Sequence, residues 1–314
     1  MSIPLEEADG YQQALAQGWL PIREVARLTG VNPVTLRAWE RRYGLIVPQR
    51  TGKGHRLYDA GHVQRVQTIL TWLNRGVAVS QVKTLLEAPP VALNDEHNPW
   101  SELRGELLDA IGLCAERSLD DRFNHAMALY PPPTLCAQLL MPLLTALEQR
   151  WQGQLGARLE QVLFHGWLRS KLGLRIYHNN RQLGGAPLLL ANLGEQPVEP
   201  GLWLCAWLAS SADCPVELLE WQVPVTELQL AIERLRPRAL LLYASQAQDS
   251  QFLQRQLPRL LQQSGCPVIF VGPAASIHAS DLQRLAIASA ADPLQAIAQL
   301  KAAGLLAASE VNPS

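Results

Sequence analysis

Hydrophobic and polar positions along the chain fall into three rhythms. Between Pro21 and Glu87 the apolar residues recur at helical spacing, in short runs broken by glycine. Ile22, Val25 and Leu28 share one helical face, and Leu36, Trp39 and Tyr43 share another. Thr29-Gly30-Val31 between them reads as a tight turn, with Gly30 placed for positive φ. Asn32 is a good N-cap, Pro33 fits the first helical position, and Gly44 ends the second helix. Two more helices are predicted near 60–75 and 79–87. From Trp100 to about Asn180 a longer rhythm follows, in which Leu103, Leu107 and Ile111, then Leu139, Leu143 and Leu147, repeat at i, i+4. Tyr130-Pro131-Pro132-Pro133 separates two of these helices, and four or so are expected to form a bundle.

After Leu183-Gly184-Gly185 short apolar runs alternate with amphipathic stretches. Strands are predicted at 187–191, 215–221, 239–243, 268–271 and 286–288, and helices near 202–209, 226–235, 249–264 and 294–303. That alternation implies a parallel sheet with right-handed crossovers. The fold class is therefore multidomain α plus α/β: an N-terminal winged helix-turn-helix, a central helical bundle and a C-terminal flavodoxin-like (Rossmann-like) parallel sheet. The expected divisions are a disordered lead-in at 1–18, a DNA-binding domain at 19–88, a linker at 89–99, a bundle at 100–183, an α/β domain at 184–304 and a tail at 305–314.

Composition narrows the class. A chain of 314 residues that is 48% hydrophobic builds packed cores in two or three domains. No apolar run reaches the roughly 18 residues that span a bilayer, and acidic Met1–Tyr11 does not read as a signal peptide, so the expected location is the cytoplasm. The five cysteines are dispersed with no CxxC pair, which argues against disulfides or zinc and for buried small hydrophobes. The net charge of −1 hides an asymmetry: residues 19–87 hold eleven Lys and Arg against four Asp and Glu. A basic block in an otherwise acidic chain is the footprint of a segment that meets a polyanion.

The block has a specific anatomy. Two short helices flank a glycine turn, and Arg37, Arg41 and Arg42 lie off the apolar face of the second. An exposed second helix of that kind enters the major groove. The stretch Arg50-Thr51-Gly52-Lys53-Gly54-His55-Arg56-Leu57-Tyr58 then reads as a cationic hairpin, a wing suited to gripping phosphates.

Thr35-Leu36-Arg37-Ala38-Trp39-Glu40-Arg41-Arg42-Tyr43-Gly44-Leu45, followed by Pro48-x-Arg50-Thr51 and Gly54-His55-Arg56-Leu57-Tyr58, resembles the MerR family, in the branch of CarH, LitR and MlrA. The resemblance implies a regulator that binds double-stranded promoter or operator DNA as a homodimer or higher homo-oligomer. It implies DNA contacts from Thr35, Arg37, Arg41, Arg42 and Tyr43, and wing contacts from Arg50, Lys53, His55, Arg56 and Tyr58. Trp39 is expected in the core.

Beyond residue 100 the pattern is similar to the cobalamin-binding module of that branch, but its ligand positions are altered. In the stretch Gly194-Glu195-Gln196-Pro197-Val198-Glu199-Pro200-Gly201, Glu195 matches the acidic position, while Pro197 stands where the family has its cobalt-ligating histidine. Proline offers no lone pair to a metal. Ala244-Ser245-Gln246-Ala247 keeps only the serine of a second motif, and Gly272-Pro273 replaces a Gly-Gly pair. Trp151 is present, but Gln161-Val162 stand where light-sensing relatives carry Glu-His; His165 lies one turn on and reads as a structural histidine. The reading is a cobalamin-independent regulator with no cofactor, no metal and no catalytic residues. Its C-terminal region then serves dimerisation, the sensing of an unidentified small-molecule effector, or RNA polymerase contact. The alternative is a cobalamin-dependent, light-responsive repressor. An enzyme reading leaves the basic N-terminal reader unexplained and finds no nucleophile–base pair.

Overall fold

The computed structural model describes residues 14–52, 54–87, 99–153, 155–196 and 198–306. The expectations for residues 1–13, Lys53, residues 89–98 of the linker, Pro197 and residues 307–314 of the tail lie outside these. The chain forms two compact units, one ending at Ala157 and one beginning at Arg158.

The first unit opens with β1 (Leu20–Pro21) and α1 (Ile22–Thr29). Gly30 closes α1 at φ 71°. Asn32 then caps α2 (Pro33–Ala38), its side chain accepting from the Thr35 amide at 2.9 Å, with Pro33 at the start as expected. A wider π-type turn, Trp39–Tyr43, prolongs α2, and Gly44 stops it at φ 59°. β2 (Gln49–Arg50) and β3 (Arg56–Tyr58) make the hairpin. β3 also pairs with β1, giving a three-stranded antiparallel sheet of order β1-β3-β2. α3 (Ala60–Asn74) starts at an Asp59–His62 capping box, and α4 (Val79–Glu87) follows. α5 (Pro99–Gly112), α6 (Glu116–Leu129), the short α7 (Pro132–Leu135), a π-type turn at Cys136–Leu140 and α8 (Met141–Arg150) complete the unit.

The reader and these later helices are not loosely strung. The Trp39 indole donates to the Leu129 carbonyl at 2.9 Å, and the Val79 amide donates to the Tyr130 hydroxyl at 3.3 Å, both in buried surroundings. Thr134 and Gln138 donate to the side chain and carbonyl of Asn74. Trp39 is fully buried, as its apolar spacing required.

The second unit begins with α9 (Ala157–Asn180), whose Phe164, Trp167, Leu168, Leu172 and Ile176 are buried. β4 (Leu188–Asn192), α10 (Pro200–Ser211), β5 (Val216–Leu219), α11 (Val225–Leu235), β6 (Ala239–Tyr243), a π-type turn (Phe252–Gln256) leading into α12 (Leu257–Ser264), β7 (Val268–Val271), α13 (Ala274–Ile277), α14 (Ala279–Arg284), β8 (Ala288–Ala290) and α15 (Pro293–Ala302) follow. All strand pairs are parallel, in the order β5-β4-β6-β7-β8. This is the doubly wound, flavodoxin-like order, with its switch point between β4 and β6. β4 and β6 are buried along their whole length, as strands covered on both faces must be. α10 is apolar on every side and buried from Leu202 to Ser210, a helix enclosed by protein.

Two expectations need correction. The last strand begins at Ala288 rather than at 286, because Ala286 sits at φ 53° and turns the chain out of α14 before it can extend. The cysteines are not uniformly buried: Cys136, Cys205 and Cys214 are, Cys266 is half-buried, and Cys114 is exposed.

Candidate nucleic-acid interface

The expected DNA contacts divide by exposure. Arg37, Arg41 and Arg42 project into solvent from α2 and its terminal turn, and Tyr43 is half-buried beside them. Arg50 and His55 are exposed on the wing. The wing tip is a tight turn: the Gly54 amide donates to the Thr51 carbonyl at 2.8 Å, and the Thr51 amide to the His55 carbonyl at 3.0 Å. Gly54, at φ 80°, supplies the conformation a bulkier residue resists.

Thr35 and Tyr58 are placed differently from the rest. Both are fully buried, and neither hydroxyl finds a hydrogen-bond partner among the described residues. α2 packs against α6 on one side, and Tyr58 lies in the central strand of the three, edge-on to the His62 ring. Burial pushes the Tyr58 hydroxyl up to about 12, so it stays neutral in ordinary buffers.

The sequence reading passed over Glu40. It lies one residue past the Trp39 core position, and its carboxylate takes Arg50 at 2.6 Å and Arg56 at 2.5 Å. One acid on the recognition segment thus fastens both strands of the wing. An acidic residue inside an otherwise basic run was the available signal. Burial alone would raise the Glu40 carboxyl, but hydrogen bonds from Arg56 and Arg50 outweigh it and hold it below its ordinary value. The stabilisation is therefore present above pH 4.5 and is lost as pH falls through the lower folded value. Glu40→Gln keeps the shape and removes the charge. It is expected to lower stability by about 1 kcal/mol near neutral pH, and to lose that difference under acid. Urea melts of both proteins at neutral and acidic pH check this; an equal gap at both would show that the charge contributes nothing.

The carboxyl ends of β4 and β6 form the second place where polar groups gather. The Glu199 carboxylate is buried and accepts from the Ser245 hydroxyl at 2.6 Å. Buried Asn192 donates to the carbonyls of Gln196 and Glu220, and its oxygen accepts from the Gly194 amide at 2.8 Å. The Tyr243 ring lies on Gly201: a Cβ there would fall 2.0 Å from the phenol oxygen. Glu195 is exposed, Trp151 is half-buried, and buried Gly272 passes close to the Ala244 carbonyl. Burial lowers the half-buried His165 imidazole to about 4, with nearby Arg158 adding to the effect. Among the described residues, no group of three or more His, Cys, Asp or Glu could hold a metal ion. No helix among them is long and apolar enough to cross a membrane.

Comparison with known proteins fits the geometry of the reader. The profile of MerR HTH family regulatory proteins matches residues 20–89. The HTH-type transcriptional regulator MlrA of Escherichia coli is 32% identical over 252 residues, which is 80% of this chain and 98% of the relative. The HTH-type transcriptional repressor CarH of Myxococcus xanthus is 28% identical over 291 residues, 87% of this chain and 95% of the relative. A crystal structure of a cobalamin-binding protein from Desulfitobacterium hafniense overlays 64% of this chain and 97% of its own, at 13% identity and a TM-score of 0.36. Similarity to MlrA over nearly that relative's whole length, together with the matched reader, makes this chain a member of the MerR family of transcriptional regulators.

Proposed function

We propose that the protein is a sequence-specific regulator that works without cobalamin. In this reading residues 19–88 read promoter or operator DNA, and the region beyond the linker dimerises the protein or senses another signal. Arg37, Arg41 and Arg42 enter the groove or grip its edges. The wing, with Arg50, Lys53 and His55, holds phosphates, while Arg56 stays with Glu40.

The observation that carries cobalamin independence is the packing at the carboxyl ends of β4 and β6. That crevice is the usual ligand position in a sheet of this order. Here the Tyr243 ring lies on Gly201, and Ser245, the surviving family serine, donates its hydroxyl to buried Glu199. The residues present do not fit the cofactor, since the groups that would meet its tail are already engaged with protein. Pro197 at the histidine position supports the same conclusion from chemistry.

The test is spectroscopic. The full chain is incubated with adenosylcobalamin in the dark, passed over a desalting column and scanned in the visible. The expected product is colourless and retains its DNA affinity in light and dark alike. A red, stoichiometric complex would overturn the proposal and favour the light-responsive repressor.

A further inference from the structure

α9 carries an apolar face that the second unit leaves in solvent. Its opposite side is buried through Phe164, Leu168 and Leu172. The outer side of a surface helix is ordinarily polar. Here Leu159 is 59% exposed, Leu163 47%, Leu174 69% and Tyr177 64%. Between them sit Gly166 and Ser170, both exposed. These six positions recur every three or four residues and fall within about 60° of a common helix direction. Charges flank the face on both sides: Glu160 and Lys171 on one, and on the other Arg169, which is held by a bidentate pair with Glu220 at 2.6 Å for each bond and lies over the Trp203 ring.

The pattern is self-complementary. If two copies of α9 run antiparallel about a twofold axis near residue 168, Leu159 faces Tyr177, Leu163 faces Leu174, and Gly166 faces Ser170. Large residues meet at both ends, and the smallest meet beside the axis, where the backbones come closest. A twofold, isologous contact needs this property and no other symmetry satisfies it. The exposed side chains amount to on the order of 500 Å2 per copy, so covering them fully in a pair buries about 1,000 Å2, the lower end of what a specific interface needs.

We propose that this face of α9 is the dimerisation surface, and that its occupant is the same face of a second copy. The inference rests on the reading above that the C-terminal region carries dimerisation. It adds the helix, the antiparallel sense and the register.

Gly166 makes the test clean, because a Cβ built there has nothing within 4 Å. Gly166→Arg should leave the fold intact and place a buried, unpartnered charge at the axis. In sedimentation velocity of the full chain at micromolar concentration, the wild type is expected to be dimeric and Gly166→Arg to dissociate at least about tenfold more readily. Gly166→Glu alone should weaken the dimer likewise. Adding Ser170→Lys should restore it, because residue 166 of one copy faces residue 170 of the other. Circular dichroism and melting temperature report whether each variant is folded. A Gly166→Arg dimer as tight as wild type would overturn the surface while leaving dimerisation elsewhere in the region intact. A monomeric wild type would overturn both.

Discussion

Replacing Arg37 or Arg41 by alanine is expected to cut operator affinity by about 5- to 150-fold while the protein stays folded. The range corresponds to the roughly 1–3 kcal/mol lost with a good base or phosphate contact. Both side chains are exposed, and among the described residues neither forms an ion pair or hydrogen bond, so truncation breaks no polar contact of the fold. Arg56 would be a poor choice for the same experiment, because it is half-buried on Glu40 and its loss also disturbs the wing. The two variants separate by mechanism. An arginine that reads a base edge should lose discrimination between operator and altered operator. One that grips a phosphate should weaken all sequences alike and reduce the salt slope by about one. Operator DNA found by footprinting upstream of the gene itself, titrated at several salt concentrations, provides the measurement. Unchanged affinity in both variants would refute the assignment of α2 as the reading helix.

Much of this fold could be read from local signals, because local chemistry decides those elements. Asn32, Pro33 and Gly44 bound α2 where the sequence placed its ends, since caps and positive-φ stops act within one turn of chain. β6 and β7 match their predicted limits residue for residue, because uninterrupted apolar runs flanked by polar loops have few alternatives. What escaped was non-local. Thr35 and Tyr58 look like surface contacts in the motif string, but their burial depends on helices and strands far away in sequence. The hydrogen bond from Trp39 to the Leu129 carbonyl joins residues 90 apart, and no periodicity reports it. Glu40 escaped for another reason: its role depends on two arginines brought to it by the hairpin.

The C-terminal unit shows the same division. That its strands run parallel follows from alternation and handedness. The state of the crevice does not, because it turns on Tyr243 lying over Gly201 and on the bond from Ser245 to Glu199. The sequence shows which residue types stand in that stretch, and the packing shows what each of them touches.

Gly272→Ala is expected to cost several kcal/mol, on the order of 3 or more, and to unfold the second unit well below the wild-type melting temperature. Gly272 sits at φ 110°, and a Cβ there would fall 2.4 Å from the Ala244 carbonyl oxygen and 3.2 Å from the Tyr243 ring. Neither neighbour can withdraw cheaply. The Ala244 carbonyl also accepts from the Ala274 amide at 3.2 Å, and Gly272 itself donates to Ala290 at 2.9 Å, tying β6, β7 and β8 together. Gly105→Ala in α5 is the control: its backbone is ordinary helix, its Cβ meets nothing within 4 Å, and it should be neutral or stabilising by up to about 1 kcal/mol. Thermal melts followed by far-ultraviolet circular dichroism compare the two. A Gly272→Ala protein that melts with wild type would show that the turn relaxes freely and that the strain argument fails. The expected result bears on function as well. If Gly272 is required because β7 must pass the end of β6 this closely, then its retention is explained by the backbone alone. The surviving half of the family's glycine pair then supplies no argument for a cobalamin tail beside it.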